Sequence, residues 1–153
     1  MFSYIRINFV FRSQGGFTLV EVIITLTILV IILGATAPIT WSFFQRVELA
    51  SEVRSHTAYL KLARAYALAN RHQSAHGVYI GSSYATVFQG ASYAARDIPK
   101  DRTFPRSRLV SATTTLPEIV FSPLSATSTA ATTTLWNAYG STTIIINSEG
   151  TIE

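Results

Sequence analysis

The stretch QGGFTLVEVIITLTILVIILG, Gln14 to Gly34, decides how this chain is organised. Most of it is aliphatic, yet a carboxylate, Glu21, stands near its start, shortly after a pair of glycines. From Val22 to Gln45 the chain runs for 24 residues without a formal charge. A bilayer core of about 30 Å takes about 20 apolar residues in a helix, so the run is predicted to span a membrane. Gly34 and Pro38 weaken a soluble helix but are tolerated in a membrane one.

Upstream, residues 1–16 (MFSYIRINFVFRSQGG) carry Arg6 and Arg12 and no acid. The positive-inside rule then keeps this end in the cytoplasm and exports the chain beyond the span. A secretory signal is cut after its apolar region, at small residues. Here the plausible cutting point, Gly15-Gly16, lies before that region, so cleavage removes a basic leader and leaves an anchor.

The remaining composition fits one modest domain plus such an anchor. The chain has 153 residues, 48% hydrophobic and 13% charged, with a mean hydropathy of +0.31. It has no cysteine, so neither disulfides nor thiol chemistry enter. The net charge of +4 is uneven: residues 46–108 hold ten Lys/Arg against four acids, and residues 109–153 hold three acids and no base.

Beyond the apolar run, Leu49, Val53, His56, Leu60, Ala63 and Ala67 recur at helical spacing and form one mainly apolar stripe. Arg46, Glu48, Glu52, Arg54, Lys61 and Arg64 lie mostly off it. The helix is predicted to run from Phe17 to about His72, with Gly77 as its stop signal. Strands are predicted at Gly77–Gly81, Tyr84–Gln89, Leu109–Ala112, Glu118–Ser122 and Thr142–Asn147. A turn at Asn147–Gly150 returns the last residues. The run SATSTAATTT, Ser125–Thr134, reads as a polar loop that can hold an edge strand. The expected class is α+β: a long N-terminal helix, membrane-spanning then amphipathic, packed on an antiparallel sheet. Its divisions are a leader (1–16), an apolar helix (17–44), an amphipathic helix (45–76) and a β-rich head (77–153).

The segment GGFTLVEVIITLTILVIILGATAP resembles the prepilin-type N-terminal motif of type IV pilins and type II secretion pseudopilins. Gly16, Phe17, Thr18, Leu19, Glu21 and Pro38 carry the likeness. It implies a prepilin peptidase that cuts after Gly16 and N-methylates Phe17, with Phe17, Glu21 and Pro38 serving assembly. In that picture Glu21 pairs with the α-amine of a neighbouring subunit, because a lone carboxylate in lipid costs about 2.5–3.5 kcal/mol. A plain signal anchor with a tolerated acid is the alternative. Pro38 removes a helix hydrogen bond and predicts a bend, whether or not the segment also melts on assembly. The run Leu60, Leu62, Ala63, Arg64, Ala67 is similar to that of the GspH/FimT-like minor pilins.

The resemblance implies a minor pilin or pseudopilin, a structural subunit of a pilus-like or secretion filament. It would sit in the cytoplasmic (inner) membrane as a single-pass protein, with its N-terminus inside and its head outside. It would then join a periplasmic or extracellular filament. The implied partners are other pilin subunits, the peptidase, inner-membrane assembly machinery and membrane lipid. No enzyme signature accompanies it: no Gly-x-Ser-x-Gly elbow, P-loop or dinucleotide-binding pattern. No cofactor and no metal are expected. His72 and His76 have helical ligand spacing but no acidic partners, and read as solvent-facing. Asp97 and Asp101 make no catalytic pair. The loop RDIPKDRTFPRSR holds Arg96, Lys100, Arg102, Arg106 and Arg108. It reads either as a solvated connection or as a contact for DNA or another surface, which is the alternative function, uptake or adhesion.

Overall fold

The computed structural model describes residues 15–153, with side chains placed at 15–34 and 41–153. The leader therefore lies almost wholly outside the described residues, as do Arg6 and Arg12. The chain forms two compact units, Met1–Ile39 and Thr40–Glu153. A single α-helix, α1, is assigned over Leu19–Leu68. The assignment runs on through Pro38, whose side chain is not among those described.

In the first unit every described residue from Gly15 to Gly34 is exposed. The predicted membrane span is overturned here. Among the described residues no helix is long and apolar enough to cross a membrane. The expectation rested on absent charge rather than on apolar length. The aliphatic run closes at Leu33, and Thr36, Pro38, Thr40, Ser42 and Gln45 interrupt the rest of the charge-free stretch. From Leu19 to Leu33 a helix rises only about 22 Å, short of an apolar layer of about 30 Å.

The last residue of that stretch has another use. Gln45 is buried, and the side-chain amide of Asn137 donates to its backbone carbonyl at 2.7 Å. It thus belongs to the head.

The second unit builds two antiparallel sheets against α1, where one was expected. The first holds β1 (His76–Ile80), β2 (Tyr84–Gln89), β3 (Arg102–Pro105) and β5 (Glu118–Phe121), in the order β3-β2-β1-β5. The second holds β4 (Ser111–Thr114), β6 (Ala131–Asn137) and β7 (Gly140–Ile146), in the order β4-β6-β7. One continuous core joins Leu49, Leu60, Ala63 and Ala67 of α1 to Val78, Val87, Ile119 and Phe121 of the first sheet. It extends to Leu135, Ile144 and Ile146 of the second.

One strand, β3, was missed, and another, β6, was allowed only as an edge strand. β3 lies inside the basic loop, and Phe104 holds it by stacking on Tyr59 of α1 with ring centroids 4.3 Å apart. β6 begins inside the threonine-rich run and is the central strand of its sheet. Its buried positions alternate, Ala131, Thr133, Leu135, with the Thr133 hydroxyl bonded to that of Thr114 at 3.2 Å. β-Branched residues such as these threonines fit a half-buried pleat.

The helix also ends earlier than expected. Asn70 takes a left-handed conformation, φ 47°, as asparagine can without much cost. The Ala67 carbonyl is satisfied there by the amides of Asn70 and Leu124. Gly77 is not the stop signal but a strand residue in β1. A Cβ on it would fall 2.5 Å from the Phe88 ring and 2.8 Å from the Ile119 carbonyl oxygen. The expected turn at Asn147–Gly150 is present, with Gly150 at φ +74°.

Candidate functional site

The N-terminal residues are arranged by the start of α1. Gly15 to Thr18 carry no helix or strand, and Phe17 is 82% exposed. Thr18 caps the helix: its hydroxyl accepts the Glu21 amide at 3.2 Å. Thr18-Leu19-Val20-Glu21 has the residue pattern of a capping box, in which a threonine and an acid three residues on satisfy the free amides of the first turn. The Glu21 carboxylate also lies where the helix dipole favours negative charge. This gives Glu21 a local role that needs no lipid around it. The pattern was visible in the sequence and was not read as a cap.

The Gly16–Phe17 bond is therefore two residues outside the helix, in exposed chain, with open space around both glycines. Residues 11–37 match the prokaryotic N-terminal methylation motif. Gly16, Phe17 and Glu21 fall within the match, and so does residue 37 but not Pro38. The first four matched positions lie outside the described residues. Neither the curated proteins nor the solved structures gave a match to this chain. The methylation motif is typical of pilin-like proteins, and its extent is the N-terminal segment alone.

That match does not restore the anchored topology. A minor pilin or pseudopilin held through a membrane-spanning helix, single-pass, with its head outside, requires a span that no helix among the described residues provides.

In the head, the structure scatters the five loop cations. The Arg96 Nε donates to Asp101 Oδ2 at 2.7 Å and its Nη1 to the Tyr93 carbonyl, with the guanidinium 3.8 Å over the Tyr93 ring. The Asp101 bond raises its already high pKa. The Lys100 ammonium pairs with Asp97 at 3.1 Å. Arg106 is buried: its Nε donates to Glu52 Oε1 at 3.3 Å and its Nη1 to the Gly81 carbonyl. It is thus a structural ion pair and not a surface contact for DNA. Glu52, expected off the apolar stripe, lies on it for the same reason. Arg102 and Arg108 are exposed.

His56 fills the space beside this pair. Its Nδ1 lies 3.2 Å from the Glu52 carbonyl. Burial, followed by the nearby Arg106 charge, lowers its pKa, against the opposing pull of Glu52.

His72 and His76 do not share a helix face. His72 sits in a 3-10 turn, Arg71–Gln73, while His76 is the buried first residue of β1. Among the described residues no His/Cys/Asp/Glu group suits a metal. Both histidines instead line a pocket of about 250 Å³, together with Tyr66, Arg71, Lys100 and Arg102. The Arg71 guanidinium lies 4.5 Å from the centre of the Tyr66 ring and that of Arg102 5.9 Å. The His76 Nδ1 lies 3.1 Å from the Ser74 carbonyl. Burial lowers its pKa most; the Ser74 bond opposes this, and the charges of Arg71, His72 and Lys100 add to the lowering. Arg71 was overlooked because it lies outside the basic loop, more than twenty residues upstream of it.

Proposed function

We propose that this is a pilin-like protein whose N-terminus is matured by a prepilin peptidase, with cleavage after Gly16 and methylation of the new Phe17 amine. The observation that carries the reading is the coincidence of the methylation-motif match with an exposed, unstructured Gly15–Phe17 just ahead of a capped helix. A peptidase must take its substrate as extended chain, and the helix begins only after the bond to be cut. The Thr18 cap then fixes where the helix starts and so leaves Gly16–Phe17 free of it.

The partners in this reading are the peptidase and other pilin-like chains. The narrower GspH/FimT-like assignment has the run Leu60–Ala67 as its support. Packing already accounts for Leu60, Leu62, Ala63 and Ala67, which contribute to the head's core. The run therefore adds little to the proposal.

The test is co-expression of the full chain with an active peptidase. Wild type is expected to shorten by its leader, and a variant with a bulky residue in place of Gly16, Gly16→Leu, to keep it. Equal behaviour of the two would remove the assignment of the cutting point.

A further inference from the structure

The pocket beside Tyr66 holds charges that nothing in the fold answers. The two acids near it are taken: Asp97 by Lys100 at 3.1 Å, and one oxygen of Asp101 by Arg96 at 2.7 Å. Arg71 and Arg102 have no carboxylate within ion-pair distance among the described residues, and both stand over the same ring. Two guanidiniums beside one aromatic ring repel each other, and a shared anion offsets that repulsion. The turn that supplies Arg71 is itself strained. His72 and Gln73 both have positive φ, at 55° and 52°, a region that histidine enters more readily than glutamine, so the cost falls on Gln73. Strain of this kind gathers at ligand sites.

The size of the pocket narrows the ligand. At about 250 Å³ it has room for more than a phosphate group alone. We infer that the pocket binds a phosphate monoester of a small molecule, with Arg71 and Arg102 clasping the phosphate dianion and the rest of the lining receiving the organic part. Arginine suits this task because its planar fork matches phosphate oxygens in pairs. Lys100, itself paired with Asp97, and the imidazole of His76 complete the lining.

The experiment is calorimetric titration of the full chain in detergent with glycerol 3-phosphate, inorganic phosphate and dimethyl phosphate. Glycerol 3-phosphate is expected to saturate one site and to bind more tightly than inorganic phosphate. Dimethyl phosphate, a monoanionic diester like a nucleic-acid backbone unit, is expected to bind weakest. Arg71→Gln and Arg102→Gln should each weaken glycerol 3-phosphate at least tenfold. Arg108→Gln, an exposed base outside this pocket, should not. Both pocket arginines are exposed, so circular dichroism should confirm an unchanged fold. Absence of saturable binding, or wild-type affinity in both pocket variants, would overturn the site. Inorganic phosphate binding as tightly as the ester would overturn the ester assignment in favour of free phosphate. Tightest binding of the diester would overturn the dianion and point to a nucleic-acid backbone.

Discussion

The Arg106 guanidinium meets the Glu52 carboxylate at 3.3 Å, across 54 residues of sequence and with both side chains buried. Glu52 Oε2 also accepts the Ser107 amide at 3.4 Å. The chain leaving β3 is thereby tied to the buried face of α1. Removing one partner of a buried pair strands the other charge, which costs about 3–5 kcal/mol. Glu52→Met alone is expected to lower thermal stability by an amount in that range. Arg106→Met combined with it should recover most of the loss. A double variant as unstable as the single one would mean that the pair does not act as a unit.

Gly77 tests the packing of β1. Alanine there must push the Phe88 ring or the β5 backbone, since its Cβ would lie well inside van der Waals distance of both. Overpacking of this kind costs about 1–3 kcal/mol. Gly77→Ala should lower the melting temperature of the head, and Phe88→Leu beside it should restore part of the loss. An unchanged melting temperature in Gly77→Ala would contradict the close approach.

Thr18 tests the helix start. Replacing a threonine cap by a residue without a hydroxyl costs about 1 kcal/mol. Thr18→Val is expected to speed hydrogen exchange of the Glu21 amide about fivefold while leaving amides after Leu26 untouched. Unchanged exchange at Glu21 would show that the hydroxyl is not the cap.

The buried histidines give the head a pH dependence of known sign. His56 and His76 both have pKa values lowered by burial, so the unfolded chain binds their protons more readily than the fold does. Stability is then full above the unfolded value of about 6.5 and declines as pH falls through it toward the lower folded values. Thermal stability is expected to drop between pH 7.5 and pH 5.5, and His56→Gln should make that drop shallower. A melting temperature that rises on acidification would contradict the assignment.

These residues also mark where the sequence was readable. The stripe from Leu49 to Ala67 was legible because its members, Val53 partly and the others fully, bury on their own helix's period, a local signal. Glu52 was not, because its reason for being inside is Arg106, and nothing local connects them. β6 was hidden because Ala131, Thr133 and Leu135 alternate with other small or hydroxylated residues, so low complexity masked a period of two. β3 was hidden by its arginine and proline, although Phe104 marked an apolar contact. The membrane span was misread because freedom from charge was taken for apolar length, and Gln45, the end of that run, proved to be a head residue hydrogen-bonded to Asn137. At the candidate sites, the N-terminal methylation motif was local and legible, whereas the Thr18 cap within it was not read and Pro38 lies outside the match. The pocket was not legible, since Tyr66, Arg71 and Arg102 meet only through the fold.

The central claim, maturation at the Gly16–Phe17 bond, is tested most directly by the N-terminal peptide mass of the full chain made with and without an active prepilin peptidase. The account expects a peptidase-dependent peptide that begins at Phe17 and carries one extra methyl group on its amine. A chain that keeps residues 1–16 beside a peptidase active on a known substrate, or one cut at another bond, would contradict it.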